Sequence, residues 1–421
     1  MKNHKKSIKK FFFKDQSFAF EFIRTLGAST YQGADIGECL IAASNIKDGN
    51  FESWYNEWYA MAEKIHAVAA DCRNRGHTES AKMAYLRASS YYRTADFYLH
   101  GNKNDPRINE TSHKSRDCFF KFIQLEQIAE QVKIPYEGTY LPGYFYSPYS
   151  KERPTIIIQT GFDGTQEELY LYALEGIKRG YNVLTFEGPG QGAVIREQKL
   201  PFRADWEKVV TPVIDYLATR PDVDKDMIIL YGLSYGGYMA PRAASFDQRI
   251  KILVANGGIF DPVTGILKNF KVIAKTKEDL LSFIKKHPTL FNSIVYMVMR
   301  FKTNARWFFE HGMYSFNVQT PAELILRLAE WTMHNHAQNI TSTTLICDVD
   351  NEMLEIAGQA HMLYNQLTCP KKLITFMTED GAGYHCQMGA LLTSNQVIFD
   401  WIDATVSLLT QEQKWELKNV A

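Results

Sequence analysis

From about residue 15 to residue 130, apolar residues recur at three- and four-residue intervals with few Gly or Pro. Glu52–Arg75 and Thr78–His100 show the pattern best, and it predicts a run of amphipathic helices. Asp105-Pro106 and then Val132–Pro148 break the regime. The latter alternates around Glu137-Gly138, as a hairpin opening a sheet does.

After Thr155 the pattern becomes strand, helix, strand. Thr155–Gln159, Asn182–Phe186, Met227–Tyr231, Lys251–Ala255, Thr344–Cys347 and Lys372–Phe376 are short apolar runs that read as buried strands. Between them, Glu167–Arg179, closed by Gly180, and Trp206–Thr219, ended by Arg220-Pro221, read as helices. Such alternation predicts an α/β fold with a mostly parallel central sheet, helices on both faces, and functional loops at the carboxyl ends of the strands. The alternation stops between Ala255 and Thr343, where Lys277–Lys286 and Pro288–Arg300 look helical. The expected organisation is therefore a helical N-terminal domain over residues 1–130 and a core over 131–421. A helical lid would be inserted at about 258–342.

Within that frame the segment Ile228–Ala240, IILYGLSYGGYMA, carries the chemistry. An apolar strand enters Gly232-Leu233-Ser234-Tyr235-Gly236 and a helix-compatible stretch follows, which is the G-x-S-x-G turn that exposes a nucleophilic serine. A serine hydroxyl needs an imidazole to take its proton and an acid to orient that imidazole. His385 follows the last strand in Thr378–Gly389, TEDGAGYHCQMG, and is the candidate base, with His361 a loose competitor. The strand Thr344–Cys347 runs into Asp348-Val349-Asp350-Asn351-Glu352. Register favours Glu352 as the acid and residue type favours Asp350, so both stand; Asp348 reads as a solvated strand end. Backbone N–H donors for an oxyanion are expected at Tyr235 and, in the loop after Gln159, at Phe162.

Composition narrows the class. Forty-seven basic and 47 acidic residues balance to zero, which gives no electrostatic reason for a nucleic-acid partner. Six cysteines lie without C-x-x-C spacing and read as reduced thiols of a cytoplasmic protein. The basic start, MKNHKKSIKKFFFKD, lacks the long apolar segment of a secretory signal and is expected to be a solvated arm; no stretch has the length of a membrane span. No cluster has metal-ligand spacing, so neither metal nor cofactor is expected. The Gly188–Gly192 run lacks the phasing of a phosphate loop and reads as a tight loop bordering the active site. The aromatic residues Trp54, Tyr55, Trp58, Tyr59, Tyr91 and Tyr92 read mainly as packing stripes, some of them lining the pocket from above.

Several longer segments resemble those of a known family: DGNFESW (Asp48–Trp54), AYLRASSYYRTADFYL, TGFDGTQEEL, FEGPGQG, FRADWEKVVTPVIDYL, GLSYGGYMAPRAA and GAGYHCQMGA. It is the family of α/β-hydrolases with a helical N-terminal domain. It includes fungal and bacterial hydrolases that shorten polyketides, and 2,6-dihydropseudooxynicotine hydrolase. The resemblance runs from about Phe18 to Trp401. It places the family's nucleophile on Ser234, its histidine on His385 and its acid in the Asp350/Glu352 region, where the spacing to Gly358-Gln359 departs from the family's pattern. It implies a homodimer with the pocket between helical domain and core. It also implies retro-Claisen cleavage of a C–C bond in a β-dicarbonyl small molecule, free or tethered to an acyl carrier protein. The serine machinery alone equally suits an esterase or thioesterase. GLSYGGYM also resembles prolyl-oligopeptidase-like peptidases, whose usual N-terminal β-propeller has no counterpart in this helical region. A non-catalytic interaction protein on a hydrolase scaffold is the remaining alternative.

Overall fold

The computed structural model describes residues 12–148, 151–354 and 356–420. The basic run of residues 1–10 lies outside the described residues. The helical run comprises α1 (Gln16–Gly27), α2 (Ile36–Asn45), α3 (Phe51–Asn74), α4 (Thr78–Asp96) and α5 (Pro106–Glu126). Asp15, Asp35, Asn50 and Asp105 cap α1, α2, α3 and α5 through side-chain oxygens that accept first-turn N–H bonds.

The hairpin forms β1 (Ala129–Tyr136) and β2 (Thr139–Tyr146), followed by β3 (Arg153–Gln159), α6 (Tyr170–Lys178) and β4 (Asn182–Phe186). Next come α7 (Glu207–Ala218), β5 (Val223–Leu233), α8 (Gly236–Ala244) and β6 (Ile250–Asn256). Between β6 and the next strand the chain makes α9 (Pro262–Ile266), α10 (Lys277–Lys286), α11 (Pro288–Met299), α12 (Thr303–Ser315) and α13 (Pro321–Leu328). β7 (Thr343–Val349), α14 (Gln359–Gln366), β8 (Lys371–Phe376) and α15 (Leu391–Val420) complete the chain. The expected helix Glu167–Arg179 starts three residues late, because residues 166–169 form turns, with Thr165 N bonded to Glu168 Oε2 and Gln166 N to Glu187 Oε1 beyond β4.

The eight strands lie in the order β1-β2-β4-β3-β5-β6-β7-β8. The β1–β2 and β2–β4 pairs are antiparallel and the others parallel, so this is the mostly parallel sheet of an α/β-hydrolase. Central strands are apolar on both faces: Ile156 and Ile158 pack on one side and Ile157 on the other, all fully buried. The α1–α5 helices share the core of the first face, and α7 to α13 that of the second. Truncating a residue such as Ile157 to Ala would cost about 2–5 kcal/mol.

The chain leaves β3 in one direction to form β4 and returns to form β5 on β3's other side. Gln159 at the end of β3 therefore stands level with Gly232 at the end of β5. The loops after these strands meet in the crevice at the carboxyl edge, where open α/β sheets hold their ligands. No helix among the described residues is long and apolar enough to cross a membrane. All six cysteines are free thiols.

Candidate active site

Ser234 sits between β5 and α8 with φ at +59°, in the left-handed region that a side chain adopts only when its surroundings impose it. Its N–H donates to Asn256 O at 2.8 Å, and its carbonyl accepts from Gly237 N at 2.7 Å. A Cβ on Gly232 would fall 2.0 Å from Gly236 O, so the strand and the helix start can pack this closely only without one. The turn delivers Ser234 Oγ to 2.8 Å from His385 Nε2. On the other side of the ring, Nδ1 lies 2.7 Å from Glu352 Oε2.

The carboxylate brought to His385 is thus Glu352. Asp350 instead bonds the loop after β8, where its Oδ1 accepts from the N–H of Thr378 at 2.9 Å and from its hydroxyl at 2.6 Å. Asp348, expected as a solvated strand end, has a side chain only 14 % exposed and lies 3.5 Å from His361 Nε2. Burial raises its carboxyl above the usual range. His361 stands on α14, largely exposed, with that partner in place of Ser234.

Burial pulls the His385 imidazole down, while the adjoining Cys386 sulfur and the Glu352 carboxylate push it up and prevail, holding it well above the ordinary histidine value. The neutral ring is therefore a stronger base, and the imidazolium formed when it takes the serine proton is stabilised. The loop that presents it is pinned by residues the sequence motifs did not single out. Asn256 Nδ2 donates to Gln387 Oε1 at 2.8 Å and Gln387 Nε2 returns a bond to Asn256 Oδ1 at 3.0 Å. Cys386 and Gln387 both have positive φ, so the chain beyond His385 makes a tight left-handed turn. The only sequence signal was the pair of amide residues, one ending β6 and one two positions after the histidine.

Opposite the serine lies the loop Thr160–Gly164. A Cβ on Gly161 would come within 2.6 Å of Tyr235 N and 2.7 Å of Ser234 Cβ, so this backbone presses directly on the serine turn. The Phe162 and Tyr235 rings lie 4.9 Å apart. Phe162 O accepts a bond from His311 Nε2 of α12 at 2.8 Å, and His100 of α4 stands 3.3 Å from His311 Nδ1. The next residue, Asp163, receives Arg24 at 2.6 Å and Arg93 at 2.8 Å, from α1 and α4. Burial alone would raise the Asp163 carboxyl; the two guanidinium groups hold it at about 2. Glu21 in the same cluster is raised by burial, which outweighs the same arginines.

A cavity of about 830 Å³ opens over Ser234 and His385. Its walls are mostly apolar, with Phe97 from the N-terminal helices, Ile266, Val295 and Phe308 from the α9–α12 segment, and Leu354 and Met388 beside the catalytic loops. The N-terminal helices reach it through α1 and α4, and the Phe20 ring lies 6.4 Å from His385. None of the tryptophans and tyrosines of α3 and α4 expected above the pocket lines it. Trp54 and Trp58 are wholly buried inside the helical bundle. Residues 188–192 also stand behind the wall, bordering the Thr160–Gly164 loop instead of the cavity.

Comparison with known proteins agrees with this architecture. The profile of the family described as esterase FrsA-like matches residues 42–304. Hydrolase LUC6 of Fusarium sp is 34% identical over 95% of this chain and 99% of its own length. The 20-hydroxy-prefusarin hydrolase FUS2 of Gibberella moniliformis is 35% identical over 94% of this chain and 98% of its own. Among solved structures, that of 2,6-dihydroxy-pseudo-oxynicotine hydrolase superposes with a TM-score of 0.69 at 20% identity, covering 89% of this chain and 94% of that one.

Proposed function

The chain belongs to the FrsA-like esterase family of α/β-hydrolases, and within it we propose that this hydrolase cleaves a C–C bond of a β-dicarbonyl substrate through an acyl-enzyme on Ser234. The single observation that carries the serine chemistry is the unbroken line Glu352 Oε2, His385, Ser234 Oγ, with contacts of 2.7 and 2.8 Å. His385 takes the hydroxyl proton as Ser234 Oγ attacks a ketone carbonyl, and Glu352 stabilises the imidazolium. The N–H groups of Phe162 and Tyr235, the latter at the start of α8, receive the oxyanion.

Collapse of the tetrahedral intermediate breaks the bond to the carbon between the two carbonyls. The electron pair leaves as an enolate, and His385 returns its proton to the enolate carbon, releasing a ketone. Water, activated by the same imidazole, then adds to the acyl-Ser234 ester and releases a carboxylic acid. A carbon leaves only when a neighbouring carbonyl delocalises its charge, which sets the β-dicarbonyl requirement. Support for a C–C bond comes from the resemblance to polyketide-shortening hydrolases; the relative named as a 20-hydroxy-prefusarin hydrolase supports hydrolysis of a small molecule. The apolar cavity of about 830 Å³ suits an extended, poorly charged substrate.

The family's description as esterases supports ester hydrolysis as the second reading. Steady-state assays with a series of 1,3-diketones and matched aryl esters separate the two. Turnover of diketones to an acid and a ketone, abolished in Ser234→Ala, is expected. Rapid ester hydrolysis with every diketone left intact would overturn C–C cleavage.

A further inference from the structure

We propose that Gln191 is a positioning residue for the Phe162 amide, and that holding this amide is the role of the glycine-rich segment Phe186–Gly192. The proposal rests on Ser234 acting as nucleophile with Phe162 N–H in the oxyanion hole.

Gln191 is 2 % exposed and does not line the cavity. Its Nε2 donates to Gly161 O at 2.9 Å and to Thr160 O at 3.1 Å, while its Oε1 accepts from Gly188 N at 3.0 Å. The amide can face only one way, because a flip would set its oxygen against two carbonyls and its NH₂ against an N–H donor.

Gly161 O and Phe162 N belong to one peptide unit, and no peptide bond of the described residues is cis. In a trans unit the N–H points away from the C=O, so fixing Gly161 O also fixes the direction of Phe162 N–H. Gln191 lies behind the loop, and Gly161 and Phe162 lie on the cavity wall. Binding the carbonyl from behind therefore turns the N–H toward the cavity. Without this contact the peptide could rotate and present a carbonyl to the developing oxyanion.

The same segment grips the loop a second time. Glu187 Oε1 accepts from Gln166 N at 3.2 Å, and its Oε2 accepts from Ala193 N at 2.7 Å. One short segment thus tethers both ends of residues 160–166. The tight path it needs is visible at Gly190, where φ is +84° and the Phe202 ring fills the space a Cβ would take. This gives the glycine run a structural purpose that needs no phosphate.

The test compares wild type with Gln191→Glu, which loses both donors at constant shape, and Gln191→Met, which is apolar and of similar length. Three readouts are taken: kcat and KM on a p-nitrophenyl ester, inhibition by an aryl trifluoromethyl ketone that forms a tetrahedral adduct on serine, and cooperative unfolding. Removing an oxyanion donor outright costs about 10²–10³ in kcat, so a misaimed donor should cost about 10–100-fold. KM should change little, and trifluoromethyl ketone affinity should fall by the same factor as kcat. Folded variants that keep kcat close to the wild-type value, or that lose kcat with no loss of adduct affinity, would overturn the proposal.

If neither variant folds, a crystal structure of the wild-type adduct decides. An oxyanion within about 3.2 Å of Phe162 N, with Gln191 still on Gly161 O, supports it. An oxyanion held without Phe162 N contradicts it. A wild-type enzyme that hydrolyses no ester and whose Ser234 takes no fluorophosphonate would instead sink the serine reading on which the proposal stands.

Discussion

Glu352 Oε2 lies 2.7 Å from His385 Nδ1, while Asp350, two residues earlier, gives its carboxylate to Thr378. The two acids therefore differ in consequence. Glu352→Gln should lower kcat by about 10³–10⁴, the scale seen when a triad acid is lost. Asp350→Asn should stay within a few-fold of wild type and show its effect in thermal unfolding, through the weakened tie to the loop after β8. Comparable, mild losses in both would contradict the assignment.

The same pair predicts a pH effect. The Glu352 carboxylate favours the charged imidazole and, with the Cys386 sulfur, outweighs burial, so His385 is raised above its ordinary value. The base must be neutral to act, so kcat/KM should rise with pH along an acid limb that lies above the ordinary histidine value. Replacing Glu352 with Gln removes a group that stabilises the cation. The residual activity of that variant should have its acid limb moved to lower pH. A limb that stays in place would mean that it reports another group.

Ser234 pays for its exposure with a φ of +59°. Both Ser234→Ala and Ser234→Gly should lose about 10⁶ in kcat, the scale of nucleophile removal. Only the glycine variant relieves the left-handed strain. It should be more stable than the alanine variant by about 1 kcal/mol in urea unfolding, since both lose the hydroxyl and only one keeps a Cβ. Equal midpoints would show that the turn is unstrained.

Gly161→Ala would push a Cβ within 2.6 Å of Tyr235 N and 2.7 Å of Ser234 Cβ, and the main chain there cannot step aside. The loop carrying Phe162 must retreat from the serine. We expect a kcat loss of about 10² with KM little changed. Unaltered kcat in a folded Gly161→Ala protein would remove this loop from the oxyanion site.

The helices around the loop add an acid-sensitive element. Burial holds His311 at about 4 and His100 well below the ordinary value, both neutral in the fold. With an unfolded value near 6.5, the unfolded chain binds more protons between about pH 6.5 and 4, so this contribution makes stability fall as pH drops through that window. Glu167, raised to about 7 by burial and by Glu187, acts in the opposite sense there, and Asp163, held at about 2, acts below it. The His311 contribution is therefore read as the difference in urea midpoint between wild type and His311→Gln at pH 7 and pH 5. Wild type should lose more stability than the variant on acidification; parallel behaviour would contradict a neutral, buried His311.

The sheet and the serine turn were legible in the sequence because both rest on local rules. Strands buried on both faces are continuous apolar runs, and the G-x-S-x-G turn needs small residues at fixed offsets. The candidate histidine was legible for a similar reason, since it closes the loop after the last strand. The choice between Asp350 and Glu352 was not, because it depends on whether Thr378 draws one carboxylate away, a contact across 28 residues. Asp348 was misread because its neighbour His361 comes from the following helix. The hold of Arg24 and Arg93 on Asp163, of His311 on Phe162 and of Gln191 on Gly161 is likewise tertiary. Each is a polar residue whose partner lies far along the chain, and periodicity carries no trace of such pairs.

The central claim, that Ser234 accepts an acyl group by breaking a C–C bond, is tested most directly by rapid-quench intact-protein mass spectrometry with an aryl 1,3-diketone. The account predicts a transient mass increase equal to the acyl fragment, located on the Ser234 peptide, together with an equal amount of methyl ketone in the same early phase. Ketone released with no acyl-Ser234 at any time, or an enzyme acylated by aryl esters and never by the diketone, would contradict it.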